Sequence, residues 1–125
     1  MNVVDSSAWL AYFADEPGAD FFAPAIEDTE LLIVPTVCLL EVFKVILRER
    51  GQDDAFVAVA AMQQGRVVDL DAELALEAAA VGVEERLALA DSIIYATAQK
   101  HGAVLWTQDA HFTEKPGVRY QAKNA

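Results

Sequence analysis

Asp5, Glu41, Asp91 and Asp109 each stand in or against an apolar segment, where a carboxylate costs most to place. Asp5 follows Asn2-Val3-Val4. Glu41 sits inside Val37-Cys38-Leu39-Leu40-Glu41-Val42-Phe43. Asp91 interrupts Leu87-Ala88-Leu89-Ala90 and Ser92-Ile93-Ile94, and Asp109 follows Val104-Leu105-Trp106-Thr107-Gln108. No Arg or Lys lies within two positions of any of the four. A buried carboxylate needs a partner, and the economical reading is that the four converge on one pocket and share a divalent metal.

Carboxylate oxygens suit hard cations such as Mg²⁺ and Mn²⁺. Two ions held roughly 3.5–4 Å apart can activate a water and stabilise the leaving oxygen of a phosphodiester. Thr107 and Ser6 supply hydroxyls able to orient a carboxylate or a water. His101 and His111 show no ligand spacing for zinc, and His101 before Gly102 reads as a helix C-terminal residue. Each acid also has a plainer explanation. Asp5 and Asp91 could cap helices, Asp109 could start a turn, and Glu41 could pair with Lys44 one turn along. Asp69 and Asp71, flanking a strand end, are possible outer residues of the site. Lys44 and Arg48 share a helical face with Glu41 and are the cations best placed to meet substrate phosphate; ordinary solvated ion pairs are the alternative. Trp9, Tyr12 and Phe13 read as core or dimer contacts rather than base-stacking residues.

The elements that must position these groups alternate. Strands are expected at Asn2 to Val4, Leu31 to Val34, Arg66 to Leu70, Ala103 to Thr107 and, shortest, Val118 to Tyr120. Helices are expected at Ser6 to Phe13, Thr36 to Arg50 with Gly51 as C-cap, a segment capped by Asp53 or Asp54 and running to about Gln64, Ala72 to about Val81 capped by Asp71, and Ala90 to Lys100. Asp15-Glu16-Pro17-Gly18 is a loop by its turn residues. Short apolar strands between helices predict an α/β fold, a parallel sheet covered on both faces. Ligands of such sheets bind beyond the carboxyl ends of the strands, and Asp5 and Asp109 lie there.

The chain of 125 residues is 54% hydrophobic, enough for one domain with one core, residues 1–125. No apolar run is long enough to span a membrane. The first residues lack the basic and apolar regions of a secretion signal. One cysteine, Cys38, excludes an internal disulfide and reads as a small buried side chain. These features fit a reduced, cytoplasmic setting. The net charge of −11, from 9 Lys+Arg against 20 Asp+Glu, argues against nucleic-acid binding by a basic footprint. Bound divalent ions would offset about four of those charges locally.

Val3-Val4-Asp5-Ser6-Ser7-Ala8-Trp9-Leu10 resembles the opening of PIN-domain proteins. So do Glu41-Val42, Leu89-Ala90-Asp91-Ser92-Ile93-Ile94-Tyr95-Ala96-Thr97-Ala98 and Leu105-Trp106-Thr107-Gln108-Asp109, in the same order over nearly the whole chain. The short form is most similar to VapC-type toxins of toxin–antitoxin pairs. The resemblance implies a three-layer α/β/α fold with a five-stranded parallel sheet, commonly as a homodimer. It implies a Mg²⁺- or Mn²⁺-dependent endoribonuclease with Asp5, Glu41, Asp91 and Asp109 as metal-binding catalytic residues and Thr107 beside the last. It also implies RNA as substrate, with Ser6, Lys44 and Arg48 the tentative contacts here. A VapB-type antitoxin would cover the groove, often with a basic side chain among the carboxylates. Many relatives carry a further acid two residues after the last aspartate; here that position is His111, which puts a fifth acidic ligand in doubt.

Two rival functions follow from the same residues. A PIN-like module could hold RNA or protein without cutting, as the acidic balance and His111 favour. A phosphatase or phospho-acceptor would need a second Asp two residues after Asp5, where Ser7 stands, or paired N-terminal acids with a late Lys.

Overall fold

β1 (Asn2–Val4) forms the centre of the sheet because both its faces are apolar: Val3 and Val4 point to opposite sides and neither is exposed. The computed structural model describes residues 1–123. Around β1 run β2 (Leu32–Pro35), β3 (Arg66–Val68), β4 (Val104–Thr107) and β5 (Val118–Tyr120). All neighbours are parallel, in the order β3-β2-β1-β4-β5. Among the described residues six α-helices lie in pairs between successive strands from β1 to β4: α1 (Ser6–Phe13), α2 (Ala19–Glu27), α3 (Thr36–Arg50), α4 (Gln52–Met62), α5 (Ala72–Glu85) and α6 (Leu89–Lys100). The expected α/β fold with a five-stranded parallel sheet is the one observed.

The sheet order carries the functional consequence. The chain leaves β1 toward β2 on one side, while β4 pairs on the other. The carboxyl ends of β1 and β4 therefore flank a switch point, where a parallel sheet opens a crevice. Val4 lies opposite Trp106, and the Asp5 N–H donates to the Trp106 carbonyl at 3.1 Å. That register brings Asp5 and Thr107 to the same edge. The core beneath is built from Val3, Val4, Ile33, Val34 and Leu105 of the strands with Trp9, Phe22 and Phe112.

One helix and several boundaries depart from the sequence reading. α2 was not expected, because Pro24 stands inside it and removes a helical hydrogen bond. Burial of Ala19, Phe22, Ala25 and Ile26 along one face outweighs that loss. α4 starts at Gln52, so Asp53 and Asp54 occupy its first turn instead of capping it. Gly51 both ends α3 and begins α4, with φ +94° and ψ 178°, a conformation accessible essentially only to glycine. α5 runs to Glu85, where Arg86 in the left-handed region stops it. β3 ends at Val68, short of Leu70. Asp71 caps α5 through the Leu74 N–H, as expected.

α5 and α6 pack tightly, which fixes the start of α6 and so Asp91. The contact depends on Gly82: a Cβ there would lie 2.5 Å from Ser92 Oγ and 3.2 Å from Ser92 Cβ. Ser92 Oγ is itself held by the Ala88 carbonyl at 2.8 Å. Gly82→Ala should therefore destabilise the fold by about 1–2 kcal/mol in urea unfolding, overpacking exceeding the gain in helix propensity. Ser92→Ala in the same background should recover part of the loss.

Candidate metal centre

Asp5 serves two structures at once. As N-cap of α1 its Oδ1 accepts from the Ala8 N–H (2.9 Å) and the Ser7 hydroxyl (2.8 Å). Its Oδ2 accepts from the hydroxyl of Thr107. Thr107, itself fully buried, accepts in turn from the Asp109 N–H at 2.8 Å. One hydroxyl thus ties the carboxylate after β1 to the backbone after β4. Burial raises the Asp5 carboxyl, a shift opposed by its hydrogen bonds to Thr107, Ala8 and Ser7 and reinforced by the charge of Asp109.

Glu41 lies on α3, and its Oε1 accepts from the Ser6 hydroxyl at 2.6 Å. Ser6 thus touches a carboxylate of the quartet directly. Among the described residues Lys44 forms no ion pair, so the Glu41–Lys44 pairing considered from the sequence is not formed. Arg48 reaches only Glu49, at 3.7 Å, and both Lys44 and Arg48 are exposed on α3.

Asp91 is the third residue of α6, whose N-cap is Ala88, so the capping explanation for Asp91 does not hold. Its carboxylate accepts no hydrogen bond from the described residues. Burial, then the charges of Asp109, Asp5 and Glu41, push it up to about 6 against the ordinary 3.8, with His111 pulling slightly the other way. The other three acids are therefore close enough to repel it.

Asp109 caps a 3₁₀ turn at Ala110–Phe112, its Oδ1 accepting from the His111 N–H at 2.9 Å. The His111 ring nitrogen Nδ1 lies 3.1 Å from the same oxygen. Phe112 is fully buried and anchors the turn. Asp91, Asp109 and His111 each offer one ligand atom, and these atoms lie within 4.8 Å of one another. Asp5 and Glu41 stand outside that tight group. Trp9 is wholly buried and stacks on Phe13 at 5.6 Å, a core role. Ser7, not singled out in the sequence, joins through its bond to Asp5; the signal was a hydroxyl just inside a cap. Asp69 and Asp71 are exposed around β3 and the start of α5, Asp71 as the cap already described.

Residues 3–118 match the family model described as PIN domain. No curated protein sequence matches the chain. Among solved structures, the chain is similar to a toxin–antitoxin complex from Klebsiella pneumoniae, with TM-score 0.79, 22% identity, and coverage of 95% of this chain and 96% of that one. It is similar to VapC20 of Mycobacterium tuberculosis, a toxin that cleaves the sarcin-ricin loop, with TM-score 0.78, 22% identity and coverage of 94% and 97%. It is also similar to the DNA-bound VapBC of Salmonella typhimurium, with TM-score 0.73, 16% identity and coverage of 97% and 96%.

Because Asp91 holds its proton more tightly folded than unfolded, its contribution to stability is full below about pH 4 and is lost as pH rises through about 6. In chelator at pH 7, Asp91→Asn should stabilise the chain by on the order of 1 kcal/mol, since the half-buried group is partly screened by water. Thermal unfolding between pH 4 and 8 would check both the sign and the flattened profile of the variant. Thr107→Val removes a donor to Asp5 and an acceptor for Asp109 and should cost about 1–3 kcal/mol by the same measurement.

Proposed function

The chain belongs to the PIN domain family, and from that premise we propose that it is a Mg²⁺- or Mn²⁺-dependent endoribonuclease, the toxin of a toxin–antitoxin pair. The observation that carries this reading is electrostatic. Among the described residues, no Lys or Arg comes within ion-pair distance of Asp5, Glu41, Asp91 or Asp109. Burial first, and then the charges of Asp109, Asp5 and Glu41, raise Asp91. Carboxylates gathered without a protein cation fit a divalent ion held by oxygen.

On this reading Asp5, Glu41, Asp91 and Asp109 would hold the metal. When bound, it would supply an activated water and charge stabilisation at the scissile phosphate. The chain's own residues do the positioning. Thr107 fixes Asp5 and the backbone of Asp109, and Ser6 fixes Glu41 through Oε1, leaving Oε2 without a hydrogen bond from the described residues. Lys44 and Arg48 lie one and two turns beyond Glu41 along α3 and would meet the RNA backbone. In this role Ser6 is an orienting residue rather than a substrate contact.

The proposed partners are RNA and a VapB-type antitoxin, the latter supported by the toxin–antitoxin complexes among the similar structures. A homodimer of the single domain is supported by exposed apolar side chains on and beside α5, namely Leu76, Val83 and Leu89. Among the described residues no helix is long and apolar enough to cross a membrane, in keeping with the proposed cytoplasmic setting. A second reading, a PIN-like module that binds without cutting, draws on the net charge of −11 and on His111 in place of an acid.

The deciding experiment is cleavage of a structured-RNA pool with Mg²⁺ or Mn²⁺ by the wild type and by Asp91→Asn. The variant should lose at least about 100-fold in rate, more than loss of an outer-shell partner typically costs, while remaining folded and more stable in chelator. Full activity in the variant would sink the nuclease assignment. No Mn²⁺ binding by the wild type in calorimetry would favour the binding module.

A further inference from the structure

Resting on the metal-site reading above, we propose that His111 is itself a metal ligand, so that Asp91, Asp109 and His111 form a mixed oxygen–nitrogen site that takes Mn²⁺ in preference to Mg²⁺. The geometry fits one ion. Ligands around a cation with bonds of about 2.1–2.2 Å lie about 3 Å apart when adjacent and about 4.3 Å apart when opposite. One atom from each of the three residues falls within 4.8 Å of the others, and the His111 Nδ1–Asp109 Oδ1 separation of 3.1 Å matches an adjacent edge. Asp5 and Glu41 lie outside this closely spaced trio, and Glu41 keeps Oε2 without a hydrogen bond from the described residues.

The position of the imidazole is built from the backbone. Asp109 holds the His111 N–H, Thr107 holds the Asp109 N–H, and Phe112 seats the next residue in the core. The ring is largely exposed, at 78% of its side chain, and among the described residues its one polar side-chain partner is Asp109. The chain thus fixes where the ring begins and leaves its nitrogen at the carboxylates. The short edge between Nδ1 and Oδ1 lets one cation reach both atoms. Imidazole nitrogen suits first-row transition ions, whereas Mg²⁺ prefers carboxylate and water oxygen. An imidazole nitrogen beside the carboxylates therefore shifts the site's preference toward a transition ion.

The test uses the full chain without a histidine tag, grown with ¹⁵N-labelled or unlabelled histidine and loaded with Mn²⁺ alone. Pulsed electron paramagnetic resonance should show coupling of the manganese to an imidazole nitrogen, changing with the isotope and absent in His111→Gln. The Mn²⁺/Mg²⁺ affinity ratio from calorimetry should fall about tenfold in His111→Asp, which restores an all-oxygen set. Mn²⁺ bound without nitrogen coupling, or coupling that persists in His111→Gln, would overturn the role of His111 and leave the carboxylate metal site standing. No Mn²⁺ bound by the wild type would remove both.

Discussion

The hydroxyl of Thr107 is the smallest group on which the arrangement depends. It is buried, donates to Asp5 and accepts from the backbone of Asp109, so it joins the ends of β1 and β4 where the sheet opens. Asp5 in turn caps α1 through its other oxygen. One side chain thus links the sheet edge, a helix terminus and a carboxylate whose burial opposes its charge. A hydroxyl suits this place because it can donate and accept at one atom; a methyl of the same size would leave a buried carboxylate oxygen and a backbone N–H short of a partner.

The four acids stood out in the sequence because carboxylates in apolar company are improbable without a purpose. The plain explanations, weighed one by one, then divided. Asp5 and Asp109 are caps in fact, yet capping does not exhaust either, since each carboxylate also acts on Asp91. Asp91 is not a cap, and Glu41 does not pair with Lys44. Local pattern can propose a cap but cannot say what else the same oxygens meet, because that depends on strand order. The order β3-β2-β1-β4-β5 is a tertiary fact carried by no single segment. The helix at Ala19–Glu27 was hidden for a local reason. Pro24 reads as a breaker, and the apolar spacing of Ala19, Phe22, Ala25 and Ile26 that would have revealed it lay beneath that signal.

Charge is distributed to match. Several of the nine cations are already engaged: Lys100 with Glu73 and Glu77, Lys115 with Glu85, and Arg119 over the Trp106 ring at 5.0 Å. With 20 acids against 9 cations the chain offers little positive field to draw a polyanion, so on the proposed reading attraction to RNA is local, set by bound cations and by Lys44 and Arg48. A short footprint of this kind neutralises few phosphates, and binding should depend only weakly on salt compared with proteins that use a broad basic face. Recognition would then rest on RNA shape more than on charge.

On the proposed reading, the burial and the neighbouring charges that raise Asp91 would also strengthen the hold on a cation there. Asp91, raised by burial and by its acidic neighbours, is disfavoured as a carboxylate in the ion-free fold, and positive charge brought beside it would recover that energy. A divalent ion does so, and so would a basic side chain reaching in from a partner. The two are alternatives for the same oxygens, and each binds more tightly the more the acids repel. Inhibition by a partner of the proposed antitoxin kind therefore needs no separate regulatory surface: occupying the carboxylates is enough to exclude the metal. Preorganisation sets the strength of both. A looser quartet would relax apart, lower the Asp91 carboxyl toward its ordinary value, and weaken its hold on ion and inhibitor together.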